Sequence, residues 1–287
     1  MDYALLIEER RSTRAFKKKG VTADICDAVK KYHDNECMRL VPEIQTECFI
    51  AGDEAKEALE GAAGYKEFLV GAPSYVVILS EPHEKALVNA GYITEDLSLK
   101  LNDMGLGCCF VTFTDSEAIK KALDITSEKD VSAILAFGYG ERLKKKMHFN
   151  VLTMSKISAK EKQQYFAPKK GVFDLVYTDL FGNTDGVSEK IDFYGDPLWE
   201  PLLAASNSPS YMNRQPYAFV INDNRVVLVS LPDEFTGEID AGLNIGVVMM
   251  HFAAVARAYR GDALWSTDCC EVEGLPEGAR VEGSFVI

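Results

Sequence analysis

The chain has 287 residues, enough for one large domain or two smaller ones around a substantial buried core. Its 47% hydrophobic and 26% charged residues are ordinary for a globular protein. The formal net charge of −13 argues against general affinity for nucleic acid or an anionic membrane surface, since both require a basic face.

No run approaches the roughly 18 apolar residues of a membrane span. The stretch from Met1 to Arg14 is charged by Glu8 and lacks the apolar core and cleavage site of a secretory signal, so a cytoplasmic location is expected. Seven cysteines include two adjacent pairs, Cys108 with Cys109 and Cys269 with Cys270. Neither pair has zinc-site or CxxC spacing, which points to reduced, mostly buried thiols.

In chain order, a helix is expected from Thr22 to His33, with Thr22 as N-cap and Ile25, Val29 and Tyr32 on one side. Cys48 to Ala51 and Tyr75 to Leu79 read as strands, and Asp53 to Val70 between them as helical. Tyr92 to Met104 reads as an amphipathic helix ended by Gly105, where a left-handed residue commonly stops a helix. A strand from Cys108 to Phe113, a helix from Asp115 to Leu123 and a strand from Val131 to Tyr139 follow. Arg142 to Lys170 is polar, lysine-rich and read as a connection. The pattern then resumes with helix Pro197 to Ser206, strands Ala218 to Ile221 and Arg225 to Leu231, and helix Ile245 to Arg260, which Gly261 ends.

This repeated grammar points to an internal duplication. Gln45 to Ile50 (QTECFI) aligns with Gln215 to Val220 (QPYAFV) at an offset of 170, and the long helices with their terminal glycines align at 156. The second half is therefore shorter between those points.

Two segments carry chemistry. Arg10, Arg11, Ser12, Thr13, Arg14, Ala15 and Phe16 place three guanidinium forks and a hydroxyl within five residues, a donor set suited to one phosphate dianion. The alternative is a solvated basic stretch. Asn207 to Tyr217 contains two prolines and displays Ser208, Ser210, Asn213 and Gln215, polar groups able to meet the edge of a planar heterocycle. The alternative here is an ordinary turn. The four histidines (His33, His83, His148 and His251) lack metal-ligand spacing. Gly138 and Gly140 fall short of a dinucleotide fingerprint, and Gly-x-Ser-x-Gly is absent.

Together the two segments resemble the nitroreductase family of FMN-dependent oxidoreductases. Arg10 to Phe16 matches its Arg-Arg-Ser-x-Arg-x-Phe motif, and Ser208 to Tyr217 its Ala-Pro-Ser-x-x-Asn-x-Gln-Pro-Trp motif, with Ser208 and Tyr217 as departures. Gly71-Ala72-Pro73, Met104 to Gly107 and Phe137 to Gly140 extend the likeness. In the family the motifs lie about thirty residues apart and FMN sits at a dimer interface. Here Ser12 and Ser210 are almost two hundred residues apart.

The resemblance therefore implies a single-chain pseudo-dimer of α+β class. Its first half is 1–141, the connection 142–172 and the second half 173–287. It implies that Arg10, Arg11, Ser12 and Arg14 hold the FMN phosphate and ribityl chain, while Pro209, Ser210, Asn213 and Gln215 line the ring. Thr112, Phe113 and Thr114 stand where relatives place a glycine-containing loop near flavin N5. Arg142 or Lys144 to Lys146 stand where relatives supply another basic phosphate ligand.

By the offset of 170, Pro209, Ser210 and Asn213 map to Arg39, Leu40 and Glu43, so the first half lacks the ring motif. Ser12 maps near Thr184 to Gly186 or slightly before, a stretch without Lys or Arg between Lys170 and Lys190. One composite site is expected, with no metal. The implied activity passes a hydride from NADH or NADPH through FMN to a nitroaromatic, quinone or similar small acceptor. The implied state is a monomer, free of nucleic acid and membrane. The alternatives are a flavin-binding or storage protein without turnover and a flavin-free structural protein.

Overall fold

The computed structural model describes residues 1–66, 68–141, 168–268 and 270–287, together with the backbone of 146–153 and 156–162. The chain opens with a helix the sequence reading passes over, α1 (Tyr3–Glu9), whose Asp2 cap accepts from Leu5 N at 3.2 Å. Then come α2 (Ala23–Asn35), β1 (Thr46–Ala51), α3 (Ala55–Leu59), β2 (Ser74–Ser80), α4 (Ala86–Asp103), β3 (Gly107–Val111), α5 (Ser116–Ala122) and β4 (Asp130–Gly138). After β5 (Lys146–Thr153) and β6 (Lys156–Lys162) follow β7 (Val176–Thr178), α6 (Val187–Tyr194), α7 (Asp196–Ser206), β8 (Tyr217–Asn222), β9 (Arg225–Ser230), α8 (Glu238–Arg260) and β10 (Arg280–Val286).

The helix expected over Asp53 to Val70 shrinks to α3. Gly61 and Gly64 take φ of +83° and +103°, and Lys66 is also left-handed, so the chain turns repeatedly instead of continuing the helix. Thr22 does stand at the N-cap of α2, but without a side-chain capping bond. Within the expected connection, β5 and β6 pair antiparallel. The alternation of Met147, Phe149 and Val151 with His148 and Asn150 is the period-two signal that the lysines obscure.

The first sheet has the order β1-β2-β4-β3, and every pairing is antiparallel. All seven residues of β2 are buried, as a strand covered on both faces requires. One face packs Val76, Ile78, Leu135 and Phe137 against Ile93 and Leu97 of α4 and Val29 of α2. The other packs Tyr75, Val77 and Ile134 with Leu59 and Ile119.

The second sheet has the order β10-β9-β8-β7, with β7 parallel to β8 and the other neighbours antiparallel. Phe219, Ile221 and Leu228 face Met249 and Phe252 of α8 and Leu198 and Leu202 of α7. Ile7 of α1 joins this second core. α8 is long and apolar enough to cross a membrane, yet 78% of its most apolar window is buried inside the protein.

The halves share a common set of elements. β1, β2 and α4 correspond to β8, β9 and α8, and β10 beside β9 takes the place of β4 beside β2. A tight turn at Asp223 and Asn224 replaces the excursion 52–73, which explains the shorter second half. The counterpart of β3 is reduced to one bridge between Ser266 and Ser284.

α4 and α8 meet in the middle. A Cβ on Gly91 would lie 2.4 Å from Leu243 O, and one on Gly246 only 2.0 Å from Val88 O. The two glycines are 155 positions apart, close to the repeat offset of 156, so equivalent points of the two helices touch at the crossing. This is the signature of an axis relating two like halves.

Candidate functional site

The basic segment leaves α1 and runs in extended form along the end of the first sheet. Thr13 N donates to Cys108 O at 2.8 Å, Lys17 N to Tyr139 O at 2.8 Å, and Glu141 N to Ala15 O at 2.9 Å. Gly107 is required here, since a Cβ would fall 2.3 Å from Thr13 Oγ1. Arg11 and Arg14 are exposed and Ser12 and Thr13 half-buried. Arg11 Nη1 donates to the carbonyls of Glu8 and Arg10. Among the described residues Arg14 meets no carboxylate. Arg10 turns inward instead, 9% exposed, with Nε 3.6 Å from Glu95 Oε1 on α4. His251 Nε2 on α8 lies 2.7 Å from the same oxygen, and its Nδ1 donates to Ala204 O at 3.1 Å.

The second segment joins α7 to β8. Its backbone passes through left-handed conformations at Met212, Asn213 and Gln215, costly for residues other than glycine and sustained only by surrounding bonds. Those bonds are numerous. Gln215 N donates to Ser210 Oγ at 3.0 Å, and Gln215 Nε2 to Ser206 O at 2.8 Å and Tyr217 Oη at 3.2 Å. Asn244 Oδ1 on α8 accepts from Tyr211 N at 2.9 Å.

The stretch from Pro168 clamps the outer side of this loop. Asn213 Nδ2 donates to Pro168 O at 2.7 Å, Lys170 N to Gln215 Oε1 at 2.8 Å, and Lys169 Nζ to Ser208 O at 2.6 Å. Gln215 is 1% exposed, so its side chain shapes the loop from within. Arg214 pairs with Asp233 at 2.6 Å on the surface.

The two segments converge at the seam between the halves. Lys169, bonded to Ser208, also feels the charges of Arg10 and Glu95; burial, then Arg10, draw its pKa down to about 8. Tyr65 of the first half meets Tyr211 of the second edge-on, with ring centroids 6.2 Å apart. Thr112 Oγ1 donates to Asp240 Oδ2 in the first turn of α8 at 2.6 Å, and burial raises the Asp240 pKa. Phe113 lies in the first core at 3% exposure and Thr114 is exposed, so Thr112 is the residue of that trio seen to bridge the seam. Arg142 and Lys144 lie outside the described residues.

The family model described as "Putative TM nitroreductase" matches residues 4–172, more than half of the chain. The chain belongs to this nitroreductase family. A solved "putative nitroreductase" of Thermotoga maritima superposes with a TM-score of 0.59 at 15% identity, covering 100% of this chain and 94% of that one. A nitroreductase family protein of Clostridium novyi gives 0.43 at 19% identity, covering 49% of this chain and 87% of that one. An iodotyrosine deiodinase bound to FMN and 3-iodo-L-tyrosine gives 0.41 at 19%, covering 54% and 98%. No curated protein matches the chain.

With both halves in one chain, this nitroreductase-family protein holds a second, altered copy of the polar loop. Asn89 Oδ1 accepts from Leu40 N at 3.1 Å and Val41 N at 3.0 Å, as Asn244 does from Tyr211 N. Asn89 and Asn244 are 155 positions apart, and Val41 and Tyr211 are 170 apart. The loop Arg39 to Glu43 is thus the spatial twin of Pro209 to Asn213, with Leu40 and Glu43 where that loop has Ser210 and Asn213. In the second half Phe181 N donates to Glu273 O at 2.9 Å and Leu180 forms a parallel bridge with Glu273. The stretch just before Thr184 holds Asp179, paired with Lys190 at 2.7 Å.

Among the described residues nothing else gathers comparable chemistry. Among the described residues no cluster could hold a metal. Cys108 and Cys109 enter the cores on opposite faces of the first sheet, and burial raises both thiols, Cys108 to about 11. Cys269 lies outside the described residues, and Cys270 is a free thiol. Open clefts of about 400 Å³ beside Cys48 and Asp124 and about 480 Å³ beside Phe173 and Trp199 are lined by neither segment.

The sequence reading passes over Glu95, Asn89, Asn244, Asp240 and Lys169, and takes His251 only as a histidine without metal-ligand spacing. The asparagines carry a signal, their spacing beside the repeat offset. The others become site residues only through the fold.

Proposed function

We propose that this nitroreductase-family protein is an FMN-dependent oxidoreductase with one working site per chain. Bound FMN would supply hydride-transfer chemistry between NADH or NADPH and a nitroaromatic, quinone or similar acceptor. The observation that carries this reading is the meeting of the basic segment and the polar loop, from opposite halves, at Arg10, Lys169 and Ser208.

The donor set fits the group. Arg11, Ser12 and Arg14 are at least partly accessible on a chain that is otherwise strongly acidic, which suits a phosphate dianion. Arg10 reinforces the positive charge from beneath, anchored by Glu95. Pro209, Ser210 and Asn213 would border the ring, and Gln215 holds their loop in its left-handed shape. Thr112 and Asp240 close the seam, while Tyr65 and Tyr211 offer aromatic surface to a planar acceptor. Phosphate contacts from Arg142 or Lys144 belong to the same reading. So do the boundaries 1–141, 142–172 and 173–287, and cytoplasmic action as a monomer.

The test is steady-state oxidation of NADH and NADPH with a naphthoquinone or a nitroaromatic added. Turnover with parallel double-reciprocal lines supports reductant and acceptor sharing one pocket in turn. Bound FMN without turnover supports storage instead.

A further inference from the structure

Behind Arg10 lies a buried pair that neither motif contains. Glu95 of α4 and His251 of α8 are both fully buried, and Glu95 Oε1 lies 2.7 Å from His251 Nε2 and 3.6 Å from Arg10 Nε. The partners of the imidazole fix its hydrogens. Ala204 O can only accept, so Nδ1, 3.1 Å away, carries one. At 2.7 Å a carboxylate oxygen and a bare ring nitrogen would set lone pair against lone pair, so a second hydrogen lies between Nε2 and Oε1. Whether that is imidazolium with carboxylate or imidazole with carboxylic acid, the pair has no net charge.

This accounting leaves Arg10 its full positive charge. Among the described residues Glu95 is the only carboxylate Arg10 meets, and His251 cancels it. The 3.6 Å contact is too long for a hydrogen bond, and Arg10 Nε and Glu95 Oε2 are both buried without a hydrogen-bond partner. Glu95 thus holds the guanidinium in place without consuming its charge.

The counterpart positions show that the helix crossing does not require such a pair. The shift of 155 that relates Gly91 to Gly246 and Asn89 to Asn244 carries Glu95 to Met250 and Asp96 to His251. Met250 is buried in the apolar core, and Asp96 accepts from Met38 N at 2.7 Å. The triad therefore stands on one side of the crossing only, the side of the Arg10 segment. Burying ionic groups gains little over apolar packing, so stability of the crossing does not explain it.

We propose, resting on the FMN reading above, that Glu95 and His251 are positioning residues for the cofactor phosphate: Glu95 fixes the Arg10 guanidinium, and His251 supplies the proton that keeps Glu95 from neutralising it. The pair acts through Arg10 alone. Because His251 belongs to the second half, the charge offered by the first half's segment depends on the union of the two.

His251→Gln keeps a neutral donor beside Glu95 but removes the shared proton, leaving Glu95 as a full counter-ion to Arg10. In fluorescence titrations at pH 7.5, FMN affinity should fall about tenfold, while riboflavin, which lacks the phosphate, binds unchanged. Adding Glu95→Gln to His251→Gln removes the negative charge and should restore FMN affinity to within about threefold of wild type. A purely structural role predicts the reverse, with two buried changes weakening both flavins together. NMR of labelled imidazole and carboxyl groups in the flavin-free wild type should show hydrogen on Nδ1 and a further hydrogen shared by Nε2 and Glu95. Unchanged FMN affinity in His251→Gln would overturn the proposal, as would no rescue in the double variant or a bare Nε2 facing an ionised Glu95. Where a variant does not fold, the wild-type NMR result decides. A wild-type protein that binds neither flavin would remove the FMN reading itself, and this inference with it.

Discussion

Asn89 and Asn244 perform the same task on opposite helices, holding a loop by its backbone N–H groups, yet only one of those loops bears the residues proposed to line the ring. Removing either side chain leaves buried donors unmet and should cost about 1 to 2 kcal/mol in chemical denaturation. Their effects on cofactor should diverge. Asn244→Ala loosens the loop and should weaken FMN several-fold by fluorescence titration, whereas Asn89→Ala should leave FMN affinity unchanged. Asp240 gives a pH-dependent expectation. Its folded pKa is raised by burial, so its favourable contribution is present below about pH 4 and declines as pH rises through the folded value. Asp240→Asn, which can still accept from Thr112, should therefore gain stability relative to wild type as urea midpoints are followed from pH 4 to pH 7. At this scale the sequence displays Arg10 to Phe16 and Ser208 to Gln215, because each is a local cluster of donors. It hides Glu95, His251 and Lys169, whose partners lie far away along the chain.

At the scale of elements, α4 and α8 govern the arrangement. Glycine is a poor helix former, and Gly242 and Gly246 conceal the first turns of α8, which begins at Glu238 rather than Ile245. Their value appears only when the second helix is in place, because close backbone approach needs the missing Cβ. Gly246→Ala or Gly91→Ala should each destabilise by about 2 to 3 kcal/mol through forced separation of the helices. Gly20→Ala, with nothing within 4 Å of the added methyl, should stay within about 0.5 kcal/mol of wild type in the same denaturation series. The strands with continuous apolar runs, β2, β4, β8 and β9, were legible, since burial on both faces writes itself into composition. β7 and β10 were not. β7 has only three residues, and β10 carries Arg280, Glu282, Gly283 and Ser284 with a bulge near Gly283.

At the scale of the whole molecule, duplication was legible from a handful of matched residues because both halves keep the same order of strand, strand and long helix. The inserted turns 52–73 and the loss of a full β3 counterpart blurred the alignment. What the fold adds is the pairing of the polar loop with its twin, in which Leu40 stands for Ser210. A symmetric pair of sites would bind two flavins, whereas this chain should bind one. The most direct test is the absorbance spectrum of the purified protein saturated with FMN, with the released flavin counted per chain in wild type, Arg14→Ala and Asn213→Ala. The account predicts about one FMN per chain, lost or weakened in both variants even though they alter opposite halves. Two flavins per chain would contradict the single composite site, and none would contradict the flavoprotein reading.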